Sequence, residues 1–288
     1  MKPFRDSAWF DAQYNNRARV ADAARILERW AAQSARARGR CGMHADLRYG
    51  DGASETLDIF VPRAVAAPAP VLCFIHGGWW RSLDKSDHSF VAPPFVDRGA
   101  LVVVPNYALC PAVSIETIAM QMVRALAWTY RNAARFGGDP ARIVVAGHSA
   151  GGHLAAMLLC CDWRRVGGLG VLARRLVGSA LAISGLFDLA PLRRTPYLQA
   201  DLRLTPASVR RLSPVRFPAP TGRLLAVVGG AESEEFLRQN ALIRAAWGAR
   251  AVPMCESVPG ANHFDVLDRL ADPRGRPHAL ALELLGLA

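Results

Sequence analysis

Residues 142–146 form a short apolar run that leads straight into Gly147-His148-Ser149-Ala150-Gly151-Gly152, and a helical pattern covers 150–160. A Gly-x-Ser-x-Gly pentapeptide between a strand and a helix is a strained turn that lifts its serine hydroxyl clear of a sheet. The glycines let strand and helix approach closely, where side chains would collide. The following helix N-terminus turns its free amides toward developing negative charge. A strand–turn–helix of this kind belongs in a parallel sheet crossed by helices. It points to Ser149 as a nucleophile, with a structural glycine turn as the plainer alternative.

The rest of the chain fits such a sheet. Strand signals recur at 45–49, 55–61, 70–75, 100–105, 142–146, 179–184, 223–228 and 252–258. The first two alternate and flank Gly50-Asp51-Gly52, as in a hairpin. The later ones are continuous apolar runs such as Val71-Leu72-Cys73-Phe74-Ile75, suited to strands covered on both faces. Helical patterns separate them at about 86–97, 114–135 and 232–247, with a last one at about 277–286. This order predicts a mostly parallel, eight-stranded α/β sheet with helices on both faces. Residues 16–38, with Val20, Ala24, Leu27 and Trp30 at helical spacing, read as an amphipathic arm. The expected organisation is an arm over 1–40 packed on or over a main domain at 41–288. Residues 185–222, rich in proline and arginine, read as a lid-like excursion.

A nucleophilic serine needs a base, and in this architecture the order along the chain is serine, acid, histidine. His263, in Gly260-Ala261-Asn262-His263-Phe264 just past the last strand, is in the right place. His148 belongs to the serine turn, His153 to the following helix and His76 to an upstream loop. His278 falls in the terminal helix and reads as a surface residue. The acid belongs on the loop after strand 223–228, yet no aspartate occurs between Asp201 and Asp265. The candidates are Glu232, Glu234 and Glu235. Ser233 suits a helix N-cap, which makes Glu234 and Glu235 first-turn residues favoured by the helix dipole. Glu232, before the cap, is left to orient His263 and stabilise its imidazolium.

An oxyanion hole is expected from the loop after strand 70–75. That loop reads His76-Gly77-Gly78-Trp79-Trp80. The amides of Gly77 and Gly78, with that of Ala150, can meet a tetrahedral oxyanion. Trp79 and Trp80, and Tyr107 at the end of strand 100–105, are candidate pocket residues at the carboxyl edge of the sheet, where ligands bind in open α/β sheets. Each could equally be packing.

Composition excludes several classes. Of 288 residues, 51% are hydrophobic and 20% charged, which rules out a wholly disordered chain. The formal charge is +11, and 33 of the 35 basic residues are arginine. Such a charge is a cue for nucleic-acid binding. No zinc finger, basic zipper or aromatic RNA-binding signature accompanies it, and the pairs Arg164-Arg165, Arg174-Arg175, Arg193-Arg194 and Arg210-Arg211 are dispersed. A small-molecule substrate is expected instead, with no nucleic-acid partner. The six cysteines form no Cys-x-x-Cys pair, and the histidines show no metal-ligand spacing, so neither a metal nor another cofactor is expected. No apolar run reaches membrane-spanning length. With no signal-like segment after Met1, the chain reads as cytoplasmic, a monomer or homodimer.

Taken together these motifs resemble the α/β-hydrolase fold. More narrowly they resemble the arylformamidase (kynurenine formamidase) branch, near the hormone-sensitive-lipase-like carboxylesterases. The resemblance rests on His76-Gly77-Gly78-Trp79-Trp80 with Ser82-Leu83-Asp84-Lys85-Ser86, and on Gly147 to Gly151 continuing into His153-Leu154-Ala155-Ala156-Met157. It rests also on Ser184-Gly185-Leu186-Phe187-Asp188-Leu189 and on Glu232 to Gln239 before Gly260 to Phe264. It implies hydrolysis of N-formylkynurenine in tryptophan catabolism, with Ser149 as nucleophile and His263 as base. The family usually has aspartate where Glu232 stands and often tyrosine where Trp79 stands. Asp188 matches a family motif and reads as capping a local turn. Tyr14-Asn15-Asn16 resembles a family N-terminal motif that either folds over the pocket mouth or caps the first helix. The alternatives are a general carboxylesterase of small acyl esters and a non-catalytic ligand-binding protein on the same fold.

Overall fold

The computed structural model describes residues 6–63, 68–166 and 176–288. Lys2 and the Arg174-Arg175 pair lie outside them. Eight strands, β1 (Gly42–Arg48), β2 (Thr56–Val61), β3 (Ala69–Ile75), β4 (Leu101–Pro105), β5 (Gly138–His148), β6 (Ser179–Ile183), β7 (Arg223–Gly229) and β8 (Met254–Val258), form one sheet in the order β1-β2-β4-β3-β5-β6-β7-β8. The β1–β2 hairpin and the β2–β4 pair are antiparallel, and the other pairs are parallel. The α/β architecture expected from alternating strand and helix patterns is the one observed.

Side-chain alternation along a strand splits the core in two. Val71, Cys73 and Ile75 of β3 face one apolar cluster, and Leu72 and Phe74 face the other. The first is completed by α5 (Ile115–Asn132), α6 (Ala150–Leu159) and α9 (Glu234–Ala251). The second is completed by α3 (Ala23–Arg40), α4 (Ala92–Val96), α10 (Asp265–Ala271) and α11 (Arg276–Leu285). Fully burying one such side chain contributes roughly 1.5–3 kcal/mol, so coverage of both faces dominates the stability.

The amphipathic arm read over 16–38 is helical but broken. It has three pieces: α1 (Ser7–Tyr14), the short turn α2 (Asn16–Arg19) and α3. Asp6 caps α1 by accepting from the Trp9 amide, and Asn15 caps α2 by accepting from that of Ala18. Val20 is extended, outside any helix. The buried stripe of α3 is Ala23, Ile26, Trp30, Ser34 and Ala37, which leaves Ala24 on the solvent side. Trp30 stacks on Phe90 and donates its indole N–H to Asp268 at 2.7 Å.

Two other segments depart from expectation. The helix expected at 86–97 is a 3-10 turn, Lys85–Val91, followed by the five residues of α4. Asp84 and Asp87 form a reciprocal cap on the turn. The excursion after β6 folds into α7 (Pro196–Leu202) and α8 (Pro206–Leu212) with flanking 3-10 turns. Its Phe187, Leu192, Leu198 and Leu212 are buried in the first core cluster. Among the described residues, no helix is long and apolar enough to cross a membrane.

Candidate active site

Ser149 sits between β5 and α6 with φ +56°, ψ −117°. A non-glycine residue held there stores roughly 1–3 kcal/mol of strain. The surroundings enforce it. A Cβ on Gly147 would lie 2.2 Å from the Gly151 carbonyl oxygen, and one on Gly151 would lie 2.0 Å from that of Ile75. The Ser149 amide donates to the Ile183 carbonyl at 2.8 Å, tying the turn to β6.

The structure brings Ser149, His263 and Glu232 into one hydrogen-bonded line. His263 Nδ1 is 2.6 Å from Glu232 Oε2, and its Nε2 is 3.1 Å from Ser149 Oγ. A carboxylate can only accept, so Nδ1 carries the proton, and Nε2 is free to accept from the serine hydroxyl. Glu232 Oε1 also accepts from the Ser184 hydroxyl at 2.5 Å and the Gly229 amide at 2.7 Å. The three residues are almost wholly buried. Glu234 and Glu235 open α9 behind the Ser233 cap, away from His263.

The other histidines have different tasks. His148 donates from Nε2 to the His263 carbonyl at 2.8 Å, fixing the backbone of His263. Burial and then the neighbouring His263 hold His148 well below the usual histidine range, so it stays neutral. His153 donates to the Leu212 carbonyl at 2.7 Å and thereby ties α6 to the excursion. Burial pushes its pKa down to about 4. His278 is not the surface residue expected. It is buried, stacks on Phe95 and bonds the Leu270 carbonyl, because α11 turns this side inward against α4 and α10.

The loop after β3 packs directly on the serine turn. A Cβ on Gly77 would come within 3.1 Å of Ser149 Cβ. Gly78, at φ +106°, lines the same cavity as Ser149, and Ala150 is the buried first residue of α6. Trp79 and Trp80 both continue at φ +55°. Their rings part there. Trp79 borders the cavity, whereas Trp80 is fully buried with its ring edge-on to His153. Tyr107 does not reach the cavity either. It stacks on His76 at 4.2 Å and donates its hydroxyl to the His76 carbonyl at 2.9 Å, bracing the loop from behind. Lys85, at the end of the same segment, forms a buried ion pair with Asp58 of β2 at 2.8 Å.

The cavity beside Ser149 has a volume of about 40 Å³. Ser149, His263, Gly78 and Trp79 line it, and so do Asn16, Arg17, Leu27 and Trp30 from the arm. No described residue of 185–222 lines it, so the segment expected as a lid is packed into the core and the arm supplies the wall. Of the Tyr14-Asn15-Asn16 motif, Asn15 caps α2 and Asn16 borders the cavity, whereas sequence spacing pointed to neither Arg17 nor Ser184. Asp188 accepts from the Ala190 amide in the turn expected of it. Among the described residues, no group of three or more His, Cys, Asp or Glu is placed to hold a metal ion.

Comparison with known proteins agrees with this fold. A family profile described as BD-FAE matches residues 57–163. A solved structure from Silicibacter sp. TM1040, named as a candidate thioesterase, superposes with a TM-score of 0.81 at 33% identity, covering 94% of this chain and 97% of that one. The chain belongs to the α/β-hydrolase superfamily. Within it, the kynurenine formamidase of Salmo salar is 28% identical over 261 residues, covering 87% of this chain and 85% of the relative. The esterase of the archaeon Pyrobaculum calidifontis shares the fold, with a TM-score of 0.68 at 19% identity over 92% of both chains. In α/β-hydrolase terms, Ser149 occupies the strand-to-helix turn after β5, Glu232 the loop after β7 and His263 the loop after β8. The β3–α4 connection carries the His-Gly-Gly segment.

Proposed function

We propose that this α/β-hydrolase cleaves small aryl formamides, N-formylkynurenine among them, through Ser149, His263 and Glu232. The observation that carries the reading is the hydrogen-bonded line from Glu232 through His263 to Ser149, ending in a cavity of about 40 Å³. That volume holds about three waters at roughly 10–15 Å³ each. It suits a formyl group and crowds a long acyl chain, so the leaving group extends out of it past the exposed Arg17 at its rim. The similarity to kynurenine formamidases along most of the chain supports the same choice.

In this mechanism Ser149 Oγ attacks the formyl carbon while His263 Nε2 takes the hydroxyl proton. Glu232 stabilises the imidazolium through Nδ1–H. The amides of Gly77, Gly78 and Ala150 receive the oxyanion, each donor being worth about 10²–10³ in turnover. As the C–N bond breaks, His263 returns the proton to the aryl nitrogen and the amine leaves. Water, activated by His263, then attacks the formyl-enzyme and releases formate and free Ser149. Residues 41–288 form the hydrolase domain in this reading, and the 1–40 arm closes the substrate side.

A fluorophosphonate probe should label the protein at Ser149, and Ser149→Ala should abolish labelling and turnover. N-formylkynurenine should be hydrolysed with a higher kcat/KM than p-nitrophenyl acetate. Absence of labelling overturns the nucleophile assignment. Ester turnover with none on the formamide overturns the narrower assignment in favour of a carboxylesterase, the second reading. The thioesterase naming of the 33%-identical structure favours that second reading.

A further inference from the structure

The polar groups lining the cavity differ in how far they are committed. Glu232, His263 and Ser149 bond one another. Arg17 is exposed and is the one cation bordering the cavity among the described residues, with no carboxylate or carbonyl bonded to its guanidinium there. Its neighbours are spent: Arg19 donates to the Ala12 carbonyl, and Arg81 donates to the Tyr197 carbonyl and pairs with Asp201. Asn16 borders the cavity beside it and is 4% exposed, and its Nδ2 is buried without an acceptor. A buried amide N–H is costly to leave unmade, and native proteins seldom leave one so without a reason.

We infer that Asn16 and Arg17 form a subsite for a carboxylate on the leaving group, so that the substrates hydrolysed at Ser149 are anionic. A guanidinium fork matches a carboxylate with two parallel hydrogen bonds. The Asn16 amide supplies a further neutral donor. One guanidinium and one amide balance a single negative charge, which fits a carboxylate better than a doubly charged phosphate. Leu27, Trp30 and Trp79 line the same cavity and offer it apolar surface. The short turn α2 holds Asn16 and Arg17 in place: Asn15 caps it and the Val20 amide closes it on the Asn16 carbonyl. The basic surface, net +11, adds attraction for such anions. The inference rests on Ser149 being the reacting centre, but not on the scissile bond being a formamide.

The test therefore uses two matched pairs: N-formylanthranilate against formanilide, and 2-acetoxybenzoate against phenyl acetate. The quantity read is the preference for the carboxylate-bearing member, as a ratio of kcat/KM. Comparing that ratio between proteins cancels intrinsic reactivity. Arg17→Met should lower it about 10- to 100-fold, mainly through KM, since a hydrogen bond to a charged group is worth that much in binding. Arg17→Lys should recover part of it, and Asn16→Ala should lower it by less than Arg17→Met. Added salt should slow the anion more in the wild type than in Arg17→Met. An unchanged ratio in Arg17→Met, or equal losses on both members, overturns the subsite. If only esters turn over, the formamidase reading falls while the ester pair still decides the subsite. If nothing turns over, tryptophan-fluorescence titration of Ser149→Ala decides. Tighter binding of N-formylanthranilate than of formanilide, lost on adding Arg17→Met, supports the subsite, and equal binding overturns it.

Discussion

Glu232, on the turn after β7, and Glu235, in the first turn of α9, stand three residues apart, both buried, and they are held in opposite ways. Glu235 meets a permanent cation. Its carboxylate takes the Arg238 guanidinium on both oxygens, at 2.8–3.1 Å, and the Tyr14 hydroxyl at 2.8 Å. Glu232 meets neutral donors, the Ser184 hydroxyl and the Gly229 amide, and one imidazole. Among the described residues, no lysine or arginine pairs with it. A carboxylate already neutralised by arginine is a structural tie. One whose only prospective cation is His263 has its charge in reserve until a proton reaches that ring. Burial of both and ionic completion of one separate a fold-holding acid from the acid of the proposed reaction.

The widest separation should come from Glu232→Gln. The amide keeps the size but can present N–H to His263, which favours the wrong tautomer. By analogy with the effect of such a change in serine proteases, kcat should fall about 10³–10⁴-fold. The urea midpoint should move little, because no cation is orphaned. A Glu232→Gln enzyme within tenfold of wild type would break the comparison and return the role to another group.

Glu235→Gln should do the reverse. Arg238 loses its close carboxylate and keeps Asp188 at 3.8 Å and the Tyr14 hydroxyl. Tyr14, packed edge-on against Trp79 and Phe236, loses a charged acceptor. Arg238 is about one-third exposed, so water recovers part of the loss. A stability decrease of about 1–3 kcal/mol is expected from the urea midpoint, with kcat/KM within about tenfold. Activity loss matching that of Glu232→Gln would show that the two acids are not separable.

Particular residues show how far this contrast was readable beforehand. The missing aspartate between 201 and 265 and the Ser233 cap singled out Glu232, because N-capping and chain order are local rules. The strands were legible for the same reason: continuous apolar runs reflect burial on both faces. Trp80 and Tyr107 could not be told from pocket residues, since only packing against His153 and His76 removes them from the cavity. His278 was misplaced because its inward turn depends on α4 and α10, far away in the chain. Asn16 and Arg17 sit more than 100 residues from Ser149, in a segment whose helical spacing said only that it was amphipathic, while the Tyr14-Asn15-Asn16 resemblance left a pocket-mouth place and a helix cap as alternatives. They meet the serine through the docking of α3, which no local pattern records.

The smallest effect expected is that of Ser184, which also tests whether the neutral donors on Glu232 matter. Ser184 has φ +52°, and its amide donates to the Val227 carbonyl at 2.7 Å, so the backbone aims the hydroxyl at Glu232. Ser184→Ala leaves Oε1 with the Gly229 amide alone. The loss of one hydrogen bond, about 1 kcal/mol, should lower kcat roughly three- to tenfold. The change should fall on kcat with KM unmoved, because Ser184 does not border the cavity. Ser184→Gly separates the lost hydroxyl from the backbone. Glycine relieves the left-handed strain that serine and alanine share, so it should be the more stable variant, yet both variants lack the hydroxyl and should share the same lowered kcat. Wild-type kcat in Ser184→Gly would rule out the hydroxyl as the cause and leave Glu232 held by the Gly229 amide alone.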